Sequence, residues 1–151
     1  MNCCLFGHRT ASSGLRMPLK TSILKLIEEH GVKTFYVGNN GNFDYLAQFV
    51  LSEITNARSD VRYYIVLSAM GETTLSDNGE VTLFPEGLET TPPRFAIYKR
   101  NDWLIKNSQY AIVYVETEVS NCYKWMKRAM RKGVKILNLA VQPAFEQAKN
   151  K

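Results

Sequence analysis

The sequence predicts a three-layer α/β sandwich, in which helices cover both faces of a mostly parallel sheet. Five short apolar runs have the length of buried strands; they occupy residues 3–6, 33–37, 62–69, 110–115 and 135–139. Segments with apolar residues at helical spacing separate most of these runs, and such alternation is typical of a parallel sheet with helices on both sides. Right-handed crossovers then favour the five-stranded order 3-2-1-4-5 of a Rossmann-like fold.

Two of the runs strengthen this prediction. Residues 63–67 and 111–115 are apolar at almost every position, without the alternation of a half-exposed strand. Continuous apolar runs are typical of parallel strands that are covered on both faces.

The third helix is predicted from a proline pair. Pro92-Pro93 suits the first turn of a helix, and Thr91 is the expected N-cap. In the helix that follows, Ile97, Asn101 and Leu104 share one face, which we expect to point toward the sheet.

The long connection between the third and fourth strands has no sustained period. Within residues 71–91, Asp77-Asn78-Gly79 is a turn signal, and Leu75 and Val81 could flank a small hairpin. Connections of this length are usually functional or mobile. Glu86 and Glu89 are candidate lid carboxylates, although solvated loop positions are the simpler interpretation.

Composition places the chain among ordinary soluble domains. It has 151 residues, of which 45% are hydrophobic and 22% charged. We expect one domain over residues 1–140 and a polar tail over 141–151. With no apolar run long enough for a membrane span and no pattern of a signal peptide, we expect a cytoplasmic protein.

The three cysteines do not suggest a disulfide framework or a metal site. Cys3 and Cys4 are adjacent in a predicted strand, and Cys122 lies in a predicted helix. We interpret them as small buried hydrophobic residues. The sequence gives no reason to expect a metal or a cofactor.

Topology predicts where a ligand would bind. In an open parallel sheet, ligands bind beyond the carboxyl ends of the strands where the strand order reverses, here between the first and fourth strands. The first strand leads into Gly7, His8 and Arg9. Glycine allows close approach of the backbone, arginine can pair with phosphate, and histidine can donate, accept or transfer a proton.

The second strand leads into a glycine-rich loop that opens a helix. Gly38, Asn39, Asn40 and Gly41 can present backbone N–H groups to an anion. Asp44 follows in the first helical turn, where it could complement the helix dipole, contact a ribose hydroxyl or act as a base.

Further candidate residues follow the other strands and the third helix. Ser68 lies at the end of the third strand. Glu116 follows the fourth strand and is, with Asp44, a candidate catalytic carboxylate. The remaining polar positions are candidate ligand contacts, and they are Thr117, Ser120, Asn121, Arg100 and Asn101. For Ser120 the alternative is a helix cap, and for Arg100 a surface position.

Taken together, the chain resembles the SLOG superfamily of Rossmann-like proteins, which groups the Smf/DprA proteins with the LOG enzymes, and within it the small YpsA-like branch. The matching segments run in order along the chain, and they are 4–9, 38–44, 84–89, 94–108 and 129–133. The resemblance implies a nucleotide or nucleotide-derived ligand in the crevice described above. Relatives often pair, which makes a homodimer a candidate assembly, but the sequence itself does not give the oligomeric state.

One segment departs from the family pattern. The loop after the fourth strand usually carries two glycines, and LOG enzymes add a downstream catalytic Glu; here Ser120-Asn121 occupies the glycine positions. Loss of glycine restricts how closely a phosphate can approach the backbone. The main hypothesis is therefore a sensor or binding module for a nucleotide-derived molecule. The alternative is a hydrolase that cleaves an N-glycosidic bond.

A third hypothesis is nucleic-acid binding. The formal net charge is +5, and the isoelectric point is about 9.1. Trp125 stands among Lys124, Lys127 and Arg128 on the last predicted helix, although a solvated helix face is the simpler interpretation of these cations.

Overall fold

The computed structural model describes residues 1–68, 81–83 and 85–141. The strands are β1 (Asn2–Gly7), β2 (Thr34–Val37), β3 (Arg62–Val66), β4 (Val81–Leu83), β5 (Tyr110–Tyr114) and β6 (Lys135–Asn138). The helices are α1 (Arg16–His30), α2 (Asn42–Ala57), α3 (Pro93–Lys106) and α4 (Asn121–Arg131). None of the helices in these ranges is long and apolar enough to span a membrane.

The predicted α/β fold is confirmed. The strands pair in the order β4-β3-β2-β1-β5-β6, and every pairing is parallel. Within this sheet, the five predicted strands have the predicted order. β1 lies in the middle, between β2 and β5, so the strand order reverses beside it.

The sheet has a sixth strand that the sequence did not predict. Val81–Leu83 extends the sheet at its edge, with Tyr64 opposite Val81 in a parallel register. The turn predicted at 77–79 lies outside the described residues. Three residues are too short a run to show a period, so the pairing with β3 is a tertiary effect.

Two apolar layers hold the helices on the sheet. On one side, α1 and α2 pack on the sheet through Leu26, Phe43 and Leu51, which are fully buried. On the other side, α3 and α4 pack on it through Leu104 and Ala129. Burial on both faces explains why the strands are continuously apolar.

The structure of α3 differs from the prediction in its buried face and in its N-cap. Its buried face is formed by Ala96, Arg100 and Leu104, which are spaced four residues apart, whereas Ile97 is 45% exposed. The predicted cap is also wrong. The helix begins after Pro92, and the Thr91 hydroxyl instead donates to the Gly87 carbonyl at 2.9 Å in the preceding turn.

Candidate functional site

The loops after β1 and β2 meet at the carboxyl edge of the sheet. A Cβ atom placed on Gly41 would lie 2.8 Å from the Arg9 Cα atom, so only glycine allows this approach. The backbone N–H of Asn42 donates to the Arg9 carbonyl at 3.0 Å. The two predicted loops are therefore in direct contact.

This junction presents hydrogen-bond donors. Within the described part of the chain, the backbone N–H groups of Arg9, Thr10 and Gly41 have no acceptor. The Arg9 side chain is exposed beside them. Amide donors at the start of a helix, next to a guanidinium, form an arrangement suited to an anion.

Gly7 lets the helix that follows the second loop pack close to β1. A Cβ atom on Gly7 would lie 2.8 Å from the Phe43 ring and 3.0 Å from the Tyr114 Cβ atom. Phe43 is fully buried, in the first turn of α2. Close packing at Gly7 thus fixes where the N-terminus of α2 lies.

Arg100 and Asp44 lie directly behind the glycine loop. A Cβ atom on Gly38 would come within 2.6 Å of Arg100 Nη1 and 2.9 Å of Asp44 Oδ2. Arg100 is only 4% exposed. It donates to the Val66 carbonyl at 3.1 Å and to Asn40 Oδ1 at 2.7 Å, so it ties the end of β3 to the loop after β2.

Asp44 is a buried carboxylate in the first turn of α2. It is 8% exposed, and its Oδ2 accepts a hydrogen bond from the Asn40 N–H at 2.9 Å. Burial raises its pKa above the ordinary value, while the positive charges of Arg100 and Arg9 and the Asn40 N–H lower it. Burial has the larger effect, so the charged form is destabilised.

The Cys122 thiol, in the first turn of α4, is sensitive to the charge of the same carboxylate. Burial raises the pKa of this thiol to about 11, and the negative charge of Asp44 contributes to the shift.

His8 connects the loop after β1 to the loop after β5. Its backbone N–H donates to the Tyr114 carbonyl at 3.1 Å, and its Nε2 accepts from the Glu116 N–H at 2.7 Å. The Glu116 side chain is exposed and accepts from the Tyr114 hydroxyl at 2.7 Å.

The polar residues before α4 mainly cap that helix. Ser120 Oγ accepts from the Tyr123 N–H at 3.1 Å and donates to the Thr117 carbonyl at 3.0 Å. The Thr117 hydroxyl accepts from the Val119 N–H at 3.3 Å. Asn121 lies on another surface, in a groove between α3 and α4.

Other predicted residues lie behind or away from the junction. Asn101 Oδ1 accepts from Arg100 Nε at 2.9 Å and so supports that guanidinium. Ser68 is buried just beyond β3. Glu86 is exposed before a short 3-10 turn that includes Glu89. Among the residues that the structure describes, no group of three metal-ligating side chains is found.

Sequence reasoning missed Gln48 and Thr10. Gln48 is 2% exposed, and its Nε2 donates to the Gly38 carbonyl at 2.8 Å, which holds the glycine loop from below. A polar residue four positions after Asp44, on the buried face of α2, was the available signal. Thr10 contributes through its backbone N–H, for which no sequence signal exists.

The parallel sheet with helices on both faces defines a Rossmann-like α/β protein. No protein-family model and no curated protein matches the sequence. The structure is similar to DNA processing protein A (DprA) from Streptococcus pneumoniae, with a TM-score of 0.64 at 16% identity, over 89% of this chain. The matched region covers 48% of that protein, so this chain corresponds to about half of it.

This similarity concerns the fold. At 16% identity it does not test the resemblance of the sequence motifs to the SLOG superfamily, which remains a prediction. The assignment to the YpsA-like branch remains a prediction.

Proposed function

We propose that the crevice beside β1 binds a nucleotide or a nucleotide-derived molecule through its phosphate. The observation that carries this proposal is the junction between Arg9 and Gly41. There, three backbone N–H groups without acceptors in the described chain lie beside an exposed guanidinium. Phosphate suits this set, because it accepts several hydrogen bonds at once and pairs with arginine through two of them.

Asp44 is the proposed contact for the sugar. Its Oδ2 is bonded to the Asn40 N–H. The other oxygen, Oδ1, would accept from a ribose hydroxyl, as acidic residues do in dinucleotide-binding folds. A sugar hydroxyl would replace part of the solvation that burial removes from this carboxylate.

Arg9→Ala tests the phosphate contact. Hydrogen bonds to charged groups contribute about 1.5–3 kcal/mol, so we expect affinity for nucleoside monophosphates to fall by roughly ten- to a hundredfold. Isothermal titration, with thermal stabilisation by the ligand as a second readout, measures the change. Since Arg9 is exposed, the unliganded variant should melt at the wild-type temperature.

Arg62→Ala is the matched control. Arg62 is also exposed, but it begins β3 at the opposite end of the sheet from the crevice. If both variants bind equally well, or if Arg9→Ala unfolds, Arg9 is not the phosphate contact. Native mass spectrometry of the purified protein would identify a nucleotide that remains bound.

A second candidate function is hydrolysis of an N-glycosidic bond, and the buried Asp44 favours it. A buried carboxylate whose pKa is raised is better suited to act as a general acid than an exposed one. Incubation with nucleoside monophosphates at high protein concentration, followed by chromatography for free base, is the direct assay. Release that Asp44→Asn abolishes supports hydrolysis; no release leaves ligand binding as the function.

A third candidate function, stated only by the class of its ligand, is nucleic-acid binding in the same crevice. The S. pneumoniae neighbour is a DNA processing protein, and the net charge of this chain is +5. A nucleotide within a single strand offers the crevice the same phosphate and sugar as a free one. Competition between an oligonucleotide and a mononucleotide, measured at two salt concentrations, distinguishes nucleic-acid binding from mononucleotide binding. The affinity for a nucleic-acid strand falls steeply as the salt concentration rises.

A further inference from the structure

A second surface, on the outer side of α3 and α4, has the composition of a binding site. A groove of about 270 Å³ lies between the two helices, and its lining residues, here called the cationic groove, are Tyr98, Asn121, Lys124, Trp125, Arg128 and Arg131. Small-molecule sites usually have volumes of about 300–1,000 Å³. The groove is smaller than these, and its size suits one or two anchoring side chains.

The surroundings of the groove combine aromatic rings with cations. Tyr98 is 51% exposed and Phe95, one turn before it on α3, is 48% exposed. The rings of Tyr98 and Trp125 are 4.9 Å apart. Exposed aromatic residues together with arginine are the residue types that carry most binding energy at protein interfaces.

The charge of this surface is strongly one-sided. α4 contains no acidic residue, and Asp102, which is the one acid in α3, is largely buried under Arg128 at 3.1 Å. Lys124 and Arg131 are exposed at the groove. The surface is therefore complementary to an acidic partner.

The positions of the cations disfavour stacking of nucleic-acid bases. The Arg128 guanidinium lies over both the Tyr98 and the Trp125 rings, at 5.8 and 5.9 Å from their centres. Arg94 lies over the Phe95 ring at 4.9 Å. Since single-strand binding depends on free aromatic faces, these rings are poorly placed for it.

A second copy of the chain fits less well than an acidic partner. In a two-fold symmetric contact, the same surface meets itself, so Lys124 and Arg131 would face like charges. Like charges in an interface cost several kcal/mol.

We propose that the cationic groove binds an acidic segment of a partner protein. In this arrangement an apolar or aromatic side chain of the segment packs in the groove against Tyr98 and Trp125, and flanking carboxylates pair with Lys124 and Arg131. The site is separate from the crevice and does not depend on its ligand.

A fluorescent acidic peptide with a central phenylalanine tests the proposal by anisotropy. The matched peptides replace its acids with Asn and Gln, or its phenylalanine with Ala. We expect saturable binding that each replacement weakens by about tenfold or more. The double variant Lys124→Glu/Arg131→Glu should abolish binding, and Tyr98→Ala should weaken it. Lys25→Glu/Arg62→Glu, with the same charge change on other surfaces, should bind normally.

Four outcomes would overturn the proposal. The first is the absence of saturable peptide binding, and the second is equal peptide binding by the two double variants. Another is tighter binding of a single-stranded oligonucleotide that Lys124→Glu/Arg131→Glu abolishes, which would assign the groove to nucleic acid. The last is a dimer in sedimentation that Tyr98→Ala dissociates, which would assign the groove to self-association. Arg9→Ala serves as a further control, because it should leave peptide binding unchanged.

Discussion

Gly41 and Arg9 touch each other so closely that a single added methyl group would separate them, since a Cβ atom on Gly41 would lie 2.8 Å from the Arg9 Cα atom. Gly41→Ala is therefore expected to push the loop after β1 away from the loop after β2. Overpacking of this kind costs about 1–3 kcal/mol of unfolding free energy. We expect a lower melting temperature and weaker binding of nucleoside monophosphates, measured by thermal unfolding and calorimetry.

Gly14→Ala is the control for this substitution. A Cβ atom on Gly14 would meet the Ser12 hydroxyl at 3.4 Å, an ordinary contact distance. This variant should retain both stability and binding. A Gly41→Ala protein with unchanged stability and affinity would show that the two loops can separate without consequence.

Arg100 lies in a buried environment that its position in the sequence did not predict. A lone arginine on a helix is usually exposed, but here Ala96, Arg100 and Leu104 form the buried face of α3. Its donors bond to Val66 and Asn40. Arg100→Met should therefore destabilise the fold by roughly 3–5 kcal/mol, because it leaves buried acceptors without donors and removes a charge close to Asp44. Urea unfolding measures this loss.

Arg100→Lys distinguishes geometry from charge. Lysine keeps the positive charge but cannot donate in two directions from a planar fork, as Arg100 does to β3 and to the loop after β2. We expect it to recover less than half of the lost stability. Recovery to the wild-type value would indicate that charge alone matters, and stability of Arg100→Met equal to wild type would contradict the positioning role.

The fold could be predicted from the sequence because five of its strands lie in short, mostly apolar runs. β5 can be recognised without knowledge of its neighbours, because 111–113 are all apolar in the sequence. In the structure these three residues are fully buried. β4 could not be predicted, because three residues become a strand only through pairing with β3. The type of a longer helix or strand can therefore be predicted from its local sequence pattern. A short edge strand cannot, because it forms only through tertiary contact with its neighbour.

The meeting of the loops at the carboxyl edge of the sheet could also be predicted, but the direction of their side chains could not. Strand order brings the loops beginning at His8, Gly38 and Glu116 to one edge of the sheet. Which groups then face outward depends on packing. Ser120 uses its hydroxyl to cap α4, and Asn121 turns to the cationic groove.

Asp44 should make stability depend on pH. Burial raises its pKa above the ordinary value of 3.8 despite the opposing charge of Arg100. The folded protein thus holds this proton more tightly than the unfolded chain, and the stability contributed by Asp44 falls as pH rises from the ordinary value through the raised one. Asp44→Asn does not titrate. Its unfolding free energy relative to wild type should therefore increase between acid and neutral pH.

Asp60→Asn provides a control in which the pH dependence of stability is expected to have the opposite sign. Hydrogen bonding to Arg58 lowers the pKa of Asp60 to about 2. The small stability from this exposed carboxylate is present above its ordinary pKa and is lost as pH falls toward the lowered value. Asn at this position should therefore be slightly destabilising at neutral pH, and less so in acid. Parallel pH profiles for the two variants would contradict the assignment of Asp44.

The reactivity of Cys122 reports on the negative charge of Asp44. Its pKa is raised to about 11 by burial and by the charge of Asp44, so at neutral pH little thiolate is present to react. Cys3 and Cys4 are fully buried, so slow alkylation of the folded protein should modify Cys122 alone. In Asp44→Asn, loss of the negative charge lowers this pKa, and alkylation by iodoacetamide should become severalfold faster.

Cys122→Ser identifies the reacting thiol by mass spectrometry, and unchanged circular dichroism shows that Asp44→Asn remains folded. Equal rates in folded wild-type and Asp44→Asn proteins would mean that the charge of Asp44 does not affect the Cys122 thiol.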